Sequence, residues 1–249
     1  MAGTQLAAQT ITPHHVEGRM RGFVTIRLAG GKEIGYGSMT QFVKGDRITY
    51  RMTYYFHDGS LDDETAVFSD QKAFNLISDH HIQRGPLFSH PIDLTVNAAG
   101  DITDRIVDSG GKPKVETSHI DLPPGTVVIG MMATLMANLD PPTQQLKLPA
   151  LIPSQKPRLV HFDITPEGHG TFHVAGARQS ADVFRIKIEL GGIAGVIAPI
   201  VDKQPPDSFI WVMEGDSPLA IRSVGQLSEG GPILDIQMAG ATFPAAPTK

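Results

Sequence analysis

The sequence predicts a strand-rich chain, all-β to β-rich α+β: an antiparallel meander that forms a curved sheet or half-open barrel, with one long helix. Three observations predict it. Apolar residues alternate with period two, glycine-led turn signals recur at steady intervals, and only one window reads as a helix. The alternation is clearest in residues 48–57, where Ile48, Tyr50, Met52, Tyr54 and Phe56 share one face and Thr49, Arg51, Thr53, Tyr55 and His57 the other. Phe184, Ile186, Ile188 and Leu190 repeat the pattern, as do Leu234, Ile236 and Met238. The turns fall at Gly30-Gly31, Gly45-Asp46, Asp58-Gly59, Ala99-Gly100-Asp101, Gly110-Gly111, Gly168-His169-Gly170, Gly191-Gly192, Gly215-Asp216 and Gly230-Gly231. Tight hairpin loops need positive φ, which glycine supplies without a steric cost.

The helical window follows. Asp121 is placed to cap it, Pro123-Pro124 fit a first turn whose N–H groups have no partner, and Pro141-Pro142 forbid continuation. Between them Val127, Val128, Ile129, Met131, Met132, Leu135, Met136 and Leu139 predict a helix over residues 123–139. Thr126, Thr134 and Asn138 are too few for a broad wet face, so the helix is expected to be buried on more than one side. Gly130 and Ala133 leave shallow places for a sheet to approach. Met20, Met131, Met132 and Met136 read as core packing in preference to an adaptable binding surface. Residues 140–157 are proline-rich and are expected to cross over to the later strands. The organisation expected is a flexible N-terminal segment at 1–14, a single β-rich domain over 15–240 and a flexible tail at 241–249.

Composition restricts the function. At 249 residues the chain is long enough to build a core unaided, and 41% hydrophobic with 19% charged residues excludes bulk disorder. A net charge of −5 argues against a sequence-independent hold on nucleic acid or on an anionic membrane, although ten histidines could reverse the sign in acid. The absence of cysteine removes disulfides, thiol nucleophiles and thiolate metal sites. No window approaches the ~18–20 apolar residues of a spanning helix, and residues 1–13 do not read as an export signal, so a soluble chain is expected. The basic spots at Arg84-Gly85-Pro86, Lys112-Pro113-Lys114 and Lys156-Pro157-Arg158 are too small for a nucleic-acid footprint.

No nucleophile elbow, P-loop, dinucleotide fingerprint or His-Glu-x-x-His motif is present. Asp108-Ser109-Gly110 matches the short signature of an aspartic protease, but it lacks a second copy and reads as a hairpin turn. His80-His81, His90 and His119-x-Asp121 are a loose set of possible metal ligands. On a strand His80 and His81 point to opposite faces, which argues for structural or surface histidines over a metal site. His161, His169 and His173 are expected on the wet face of a hairpin. Asp62-Asp63-Glu64 reads as a solvated edge, with alternation sending Asp63 away from the other two.

Three stretches together resemble a family of uncharacterised bacterial proteins usually made with an export signal. They are residues 57–65, residues 76–81 running on to Gly85-Pro86 and His90-Pro91-Ile92-Asp93, and residues 191–196 running on to residues 204–207 and Trp211. The resemblance covers most of residues 16–239. More distantly, the arrangement is similar to the lipoprotein-localisation carriers, whose half-open antiparallel barrel wraps helices and holds acyl chains. The resemblance implies a periplasmic or secreted location and a strand-rich cup, and it brings no catalytic residue. In the family Asp typically follows the Pro-Pro pair, whereas here Gly125 does, which weakens the first helical turn.

The reading that follows is a non-enzymatic binder of an apolar small molecule or lipid, with Phe209, Trp211, Met213, Met131, Leu135 and Tyr54 as ligand-lining candidates. No cofactor, metal or catalytic residue is called for. The alternatives are a metal-assisted hydrolase or lyase using His80, His81, His90, His119 and Asp121, and a structural or interaction domain with a filled core. Residues 208–213 are apolar on both faces, as expected where one face meets the core and the other a cavity or covering element.

Overall fold

In the computed structural model, which describes residues 10–29, 31–107, 111–139, 145–190 and 204–243, the alternating segments pair into one antiparallel sheet of fifteen strands. The first eight are β1 (Met20–Leu28), β2 (Glu33–Lys44), β3 (Arg47–Phe56), β4 (Leu61–Ser69), β5 (Asn75–Arg84), β6 (Ile92–Asn97), β7 (Asp101–Val107) and β8 (Pro113–His119). The remainder are β9 (Leu146–Ile152), β10 (Arg158–Val174), β11 (Ala177–Glu189), β12 (Ser208–Met213), β13 (Leu219–Gly225), β14 (Leu234–Met238) and β15 (Ala241–Thr242). Strands β1 to β8 form a meander in sequence order, as do β10 to β14, and β1 pairs with β14 to join the two halves. The long strand β10 carries β9 along one half of its outer side and β15 along the other. The sheet is not closed, as expected of a curved sheet or half-open barrel; β8 ends it with every residue exposed.

Tight turns fall where the sequence supplies positive φ, as at Gly45 (φ 64°) between β2 and β3. Gly168-His169-Gly170, expected as a turn, lies within β10 instead. There the register with β11 shifts between Pro166 and Gly168, a bulge, and the chain reverses at Ala175-Gly176 (φ 49° and 83°).

The long helix expected over residues 123–139 is replaced by a short one. A 3-10 turn (Ile129–Met131) leads into α1 (Met132–Ala137), six residues long. Gly125 takes φ 76°, and Val127 pairs in parallel with Ala150, exchanging hydrogen bonds with Pro149 and Leu151. The segment before the helix is thus an extended arm against β9, and β9 itself occupies much of the expected crossover. What remains of the helix is buried, with Met131, Leu135 and Met136 all at 1% exposure or less.

The core fills the concave side of the sheet. Tyr50, Tyr54 and Phe68 from β3 and β4 meet the helical segment there, together with Leu148 of β9, Phe162 of β10 and Phe184 of β11. A second, smaller cluster around Phe172, Ala181 and Ile221 takes in Trp211, Met213 and Phe243. Two terminal stretches expected to be flexible pack in part. Ile11 is buried, the N–H groups of His14 and His15 donate to the Asn138 side-chain oxygen at 2.8 and 3.1 Å, and Phe243 stacks on Phe172. The readings made for Asp108-Ser109-Gly110 and for residues 191–196 lie outside the described residues, as do residues 1–9 and 244–249.

Candidate functional site

Alternation puts Asp62 and Glu64 on the inner face of β4, beside Ala66 and Phe68, and leaves Asp63 outside, where it takes a two-pronged hydrogen bond from Arg51 at 2.9 and 2.8 Å. The solvated edge expected for Asp62-Asp63-Glu64 is therefore corrected: only Asp63 faces outward. His81 lies opposite Glu64 in the β4–β5 register, and Asp79 lies two residues before it on the same face. All four inward groups are 3% exposed or less. His81 Nε2 is 3.2 Å from Asp62 Oδ1, and its Nδ1 is 4.0 Å from Glu64 Oε2. Gln83 donates to Asp62 Oδ2 at 2.7 Å and to the Leu227 carbonyl at 2.9 Å, while the Gly130 N–H donates to Glu64 Oε1 at 2.6 Å.

The electrostatics follow from burial and sign. Burial opposes a charged imidazole, but Asp62 and Glu64 outweigh it and push His81 up to about 10. Burial also raises Glu64, with His81 pulling the other way, and it lifts Asp79 well above the usual carboxylate range, helped by the charge of Glu64. Asp79 Oδ1 and His81 Nδ1 have no hydrogen-bond partner among the described residues. The cluster is closed to any substrate, and its contact with Gly130 anchors the 3-10 turn to the sheet, so it reads as structural.

Of the proposed metal ligands only His119 and Asp121 are brought together. His80 faces outward to Asp93 at 2.7 Å, His81 is in the core, and His90 lies in an exposed loop against Ser89. His119 ends the exposed strand β8, with Asp101 at 3.0 Å from Nδ1 and Asp121 at 3.3 Å from Nε2, on opposite sides of the ring. The ligand-lining candidates divide likewise. Tyr54, Met131 and Leu135 are packed in the main core, where the Tyr54 hydroxyl donates to the Met52 sulfur at 3.3 Å. Trp211 belongs to the second cluster under the Arg222 guanidinium, 4.5 Å from the ring centre, with Phe209 beside it at 6.3 Å.

Of the six, Met213 lines a crevice. This crevice, of about 200 Å³, separates α1 from β11 and β12. Buried Met136, Phe184 and Val212 supply its apolar floor, half-buried Ala137, Leu139, Met213 and Asp182 its sides, and exposed His15 and Glu214 stand at its rim. A second hollow of about 280 Å³ lies among the loop tips, between Leu28, Lys32, Ile34, Phe56, Asp58 and Leu87. None of the ligand candidates reaches it. At the rim of the crevice His169 joins Asp182 and Glu214, an arrangement the sequence analysis missed. Asp182 is the cross-strand partner of both His169 and Val212, so three-strand register was the signal that could have found it.

No family model matches the chain, and no curated protein matches it. Among solved structures it is similar to a hypothetical lipoprotein, YmcC, from Escherichia coli (K12), at 11% identity and a TM-score of 0.34, over 91% of this chain and 85% of that one. No helix among the described residues is long and apolar enough to cross a membrane.

Proposed function

We infer that the protein is a non-enzymatic binder that takes a small apolar molecule, or the end of a lipid chain, into the crevice between α1 and strands β11 and β12. The observation that carries this reading is the crevice's composition, six apolar side chains, two of them methionines, with three ionisable ones at its sides and rim. Methionine is unbranched and polarisable, so Met136 and Met213 can adjust to a guest. Size limits the guest. About 200 Å³ is below the usual range for drug-sized ligands and offers room for roughly six water-sized groups at ~30 Å³ each. Burial at ~0.8 kcal/mol per methylene then gives about 5 kcal/mol before the cost of association, so binding no tighter than about millimolar is expected. The rim carboxylates favour a neutral or cationic head group over a carboxylate. A periplasmic or secreted site of action belongs to the same reading, through the sequence resemblance.

Calorimetric titration with hexan-1-ol tests it. Saturable millimolar binding is expected, and it should be lost in Met213→Trp, which fills the opening. Binding that is absent, or unchanged in that variant, would favour the structural domain with a filled core.

A further inference from the structure

We propose that His169, Asp182 and Glu214 form a binding site for one divalent transition-metal ion of the zinc class, at the mouth of the crevice. Three segments converge there. His169 stands on β10 just after the bulge, Asp182 is its direct cross-strand partner on β11, and Glu214 follows β12, held by its N–H to the Ser180 carbonyl at 3.2 Å. His169 Nδ1 lies 2.9 Å from Asp182 Oδ1 and 3.0 Å from Glu214 Oε1, and the three ligand atoms all lie within 4.8 Å of one another. A single ring nitrogen has at most one proton to offer two carboxylates. A cation satisfies both, because Zn–N and Zn–O bonds of ~2.0–2.2 Å put tetrahedral ligands roughly 3.3 Å apart, a few tenths of an ångström from the two His169–carboxylate distances. On binding, the Nδ1 lone pair goes to the metal, and any proton there moves to Nε2 or to solvent.

The other histidine–carboxylate groups lack this convergence. Asp101 and Asp121 approach different nitrogens of His119, and Asp93, the partner of His80, already faces Arg105 at 3.5 Å. At the mouth, Asp182 is mostly shielded while His169 is 70% exposed, so an ion can enter and keep water in its remaining positions. The proposal stands whether or not the crevice takes an apolar guest.

Untagged full-length protein, stripped with EDTA and dialysed, is titrated with zinc sulfate in a calorimeter. One ion per chain is expected, with affinity reduced at least tenfold in His169→Ala and in Glu214→Gln and unchanged in His119→Ala. Absence of saturable binding, or equal affinity in His169→Ala, overturns the site. Should either rim variant fold poorly, the parent protein decides: zinc should move the His169 ring resonances and leave those of His119 in place. A His169 ring unmoved at saturating zinc overturns the site.

Discussion

His81 shows most plainly how one residue is held by its surroundings. Its imidazole is buried between Asp62 and Glu64, and removing the positive charge leaves those carboxylates without compensation. His81→Leu is expected to cost about 3–5 kcal/mol in denaturant unfolding. The pH dependence has a definite sign. His81 titrates near 10 in the folded chain against 6.5 ordinarily, so its contribution is complete below about pH 6.5 and is lost as pH rises through about 10. Glu64 and Asp79 are also raised, so folding favours their protonated forms and their contributions likewise fade as pH climbs from the ordinary carboxylate range. The denaturant midpoint should therefore be higher near pH ~6 than near pH ~9, with a flatter profile above neutrality in His81→Leu. A midpoint that rises toward alkaline pH would contradict the cluster. The parity of Asp62, Asp63 and Glu64 was legible in the sequence; which parity faces inward was not. Charged residues ordinarily face water, and here that rule is overridden by partners from other segments, His81 on β5 and the Gly130 N–H.

At the scale of elements, the strands were legible because a half-buried sheet imposes period two, and the helix boundaries were not. Residues 123–139 have helical spacing and caps, yet Gly125 adopts positive φ and Val127 finds backbone partners on β9 that a helix would forgo. The departure at Gly125 marked the weak place in advance. Gly130 has a different reason to be glycine. A Cβ there would come within 2.8 Å of the Ala66 Cβ and 3.0 Å of Glu64 Oε1, so the 3-10 turn lies directly on β4 only because no side chain intervenes. Gly130→Val should lift the turn off the sheet and cost about 1–3 kcal/mol, read as a fall of several degrees in the melting temperature. An unchanged melt would show that the helical segment does not rest on β4. The bulge in β10 was misread as a turn because Gly168-His169-Gly170 has a turn's composition; it continues as strand because β11 is long enough to pair on both sides of it.

Over the whole molecule, the sheet spends its concave side on a filled core and leaves its opening where the shortened helix meets β11 and β12. A helix running the full expected length would have placed Val127 and Val128 elsewhere; the short one packs Met136 and Ala137 against the floor of the crevice and leaves Leu139 at its edge. Residues 208–213, apolar on both faces, contribute to two clusters, with Val212 buried in one and Trp211 half-buried against the other. Trp211 is half-buried against the second cluster, and Met213 is the reporter of the opening. The most direct test of the account is an isotope-filtered nuclear Overhauser measurement on protein labelled at the methionine methyls, with saturating hexan-1-ol. The account predicts contacts from the alcohol to the ε-methyls of Met136 and Met213 and none to Met39 or Met52, which are buried on β2 and β3. Contacts to the latter pair, or none to the former, would contradict it.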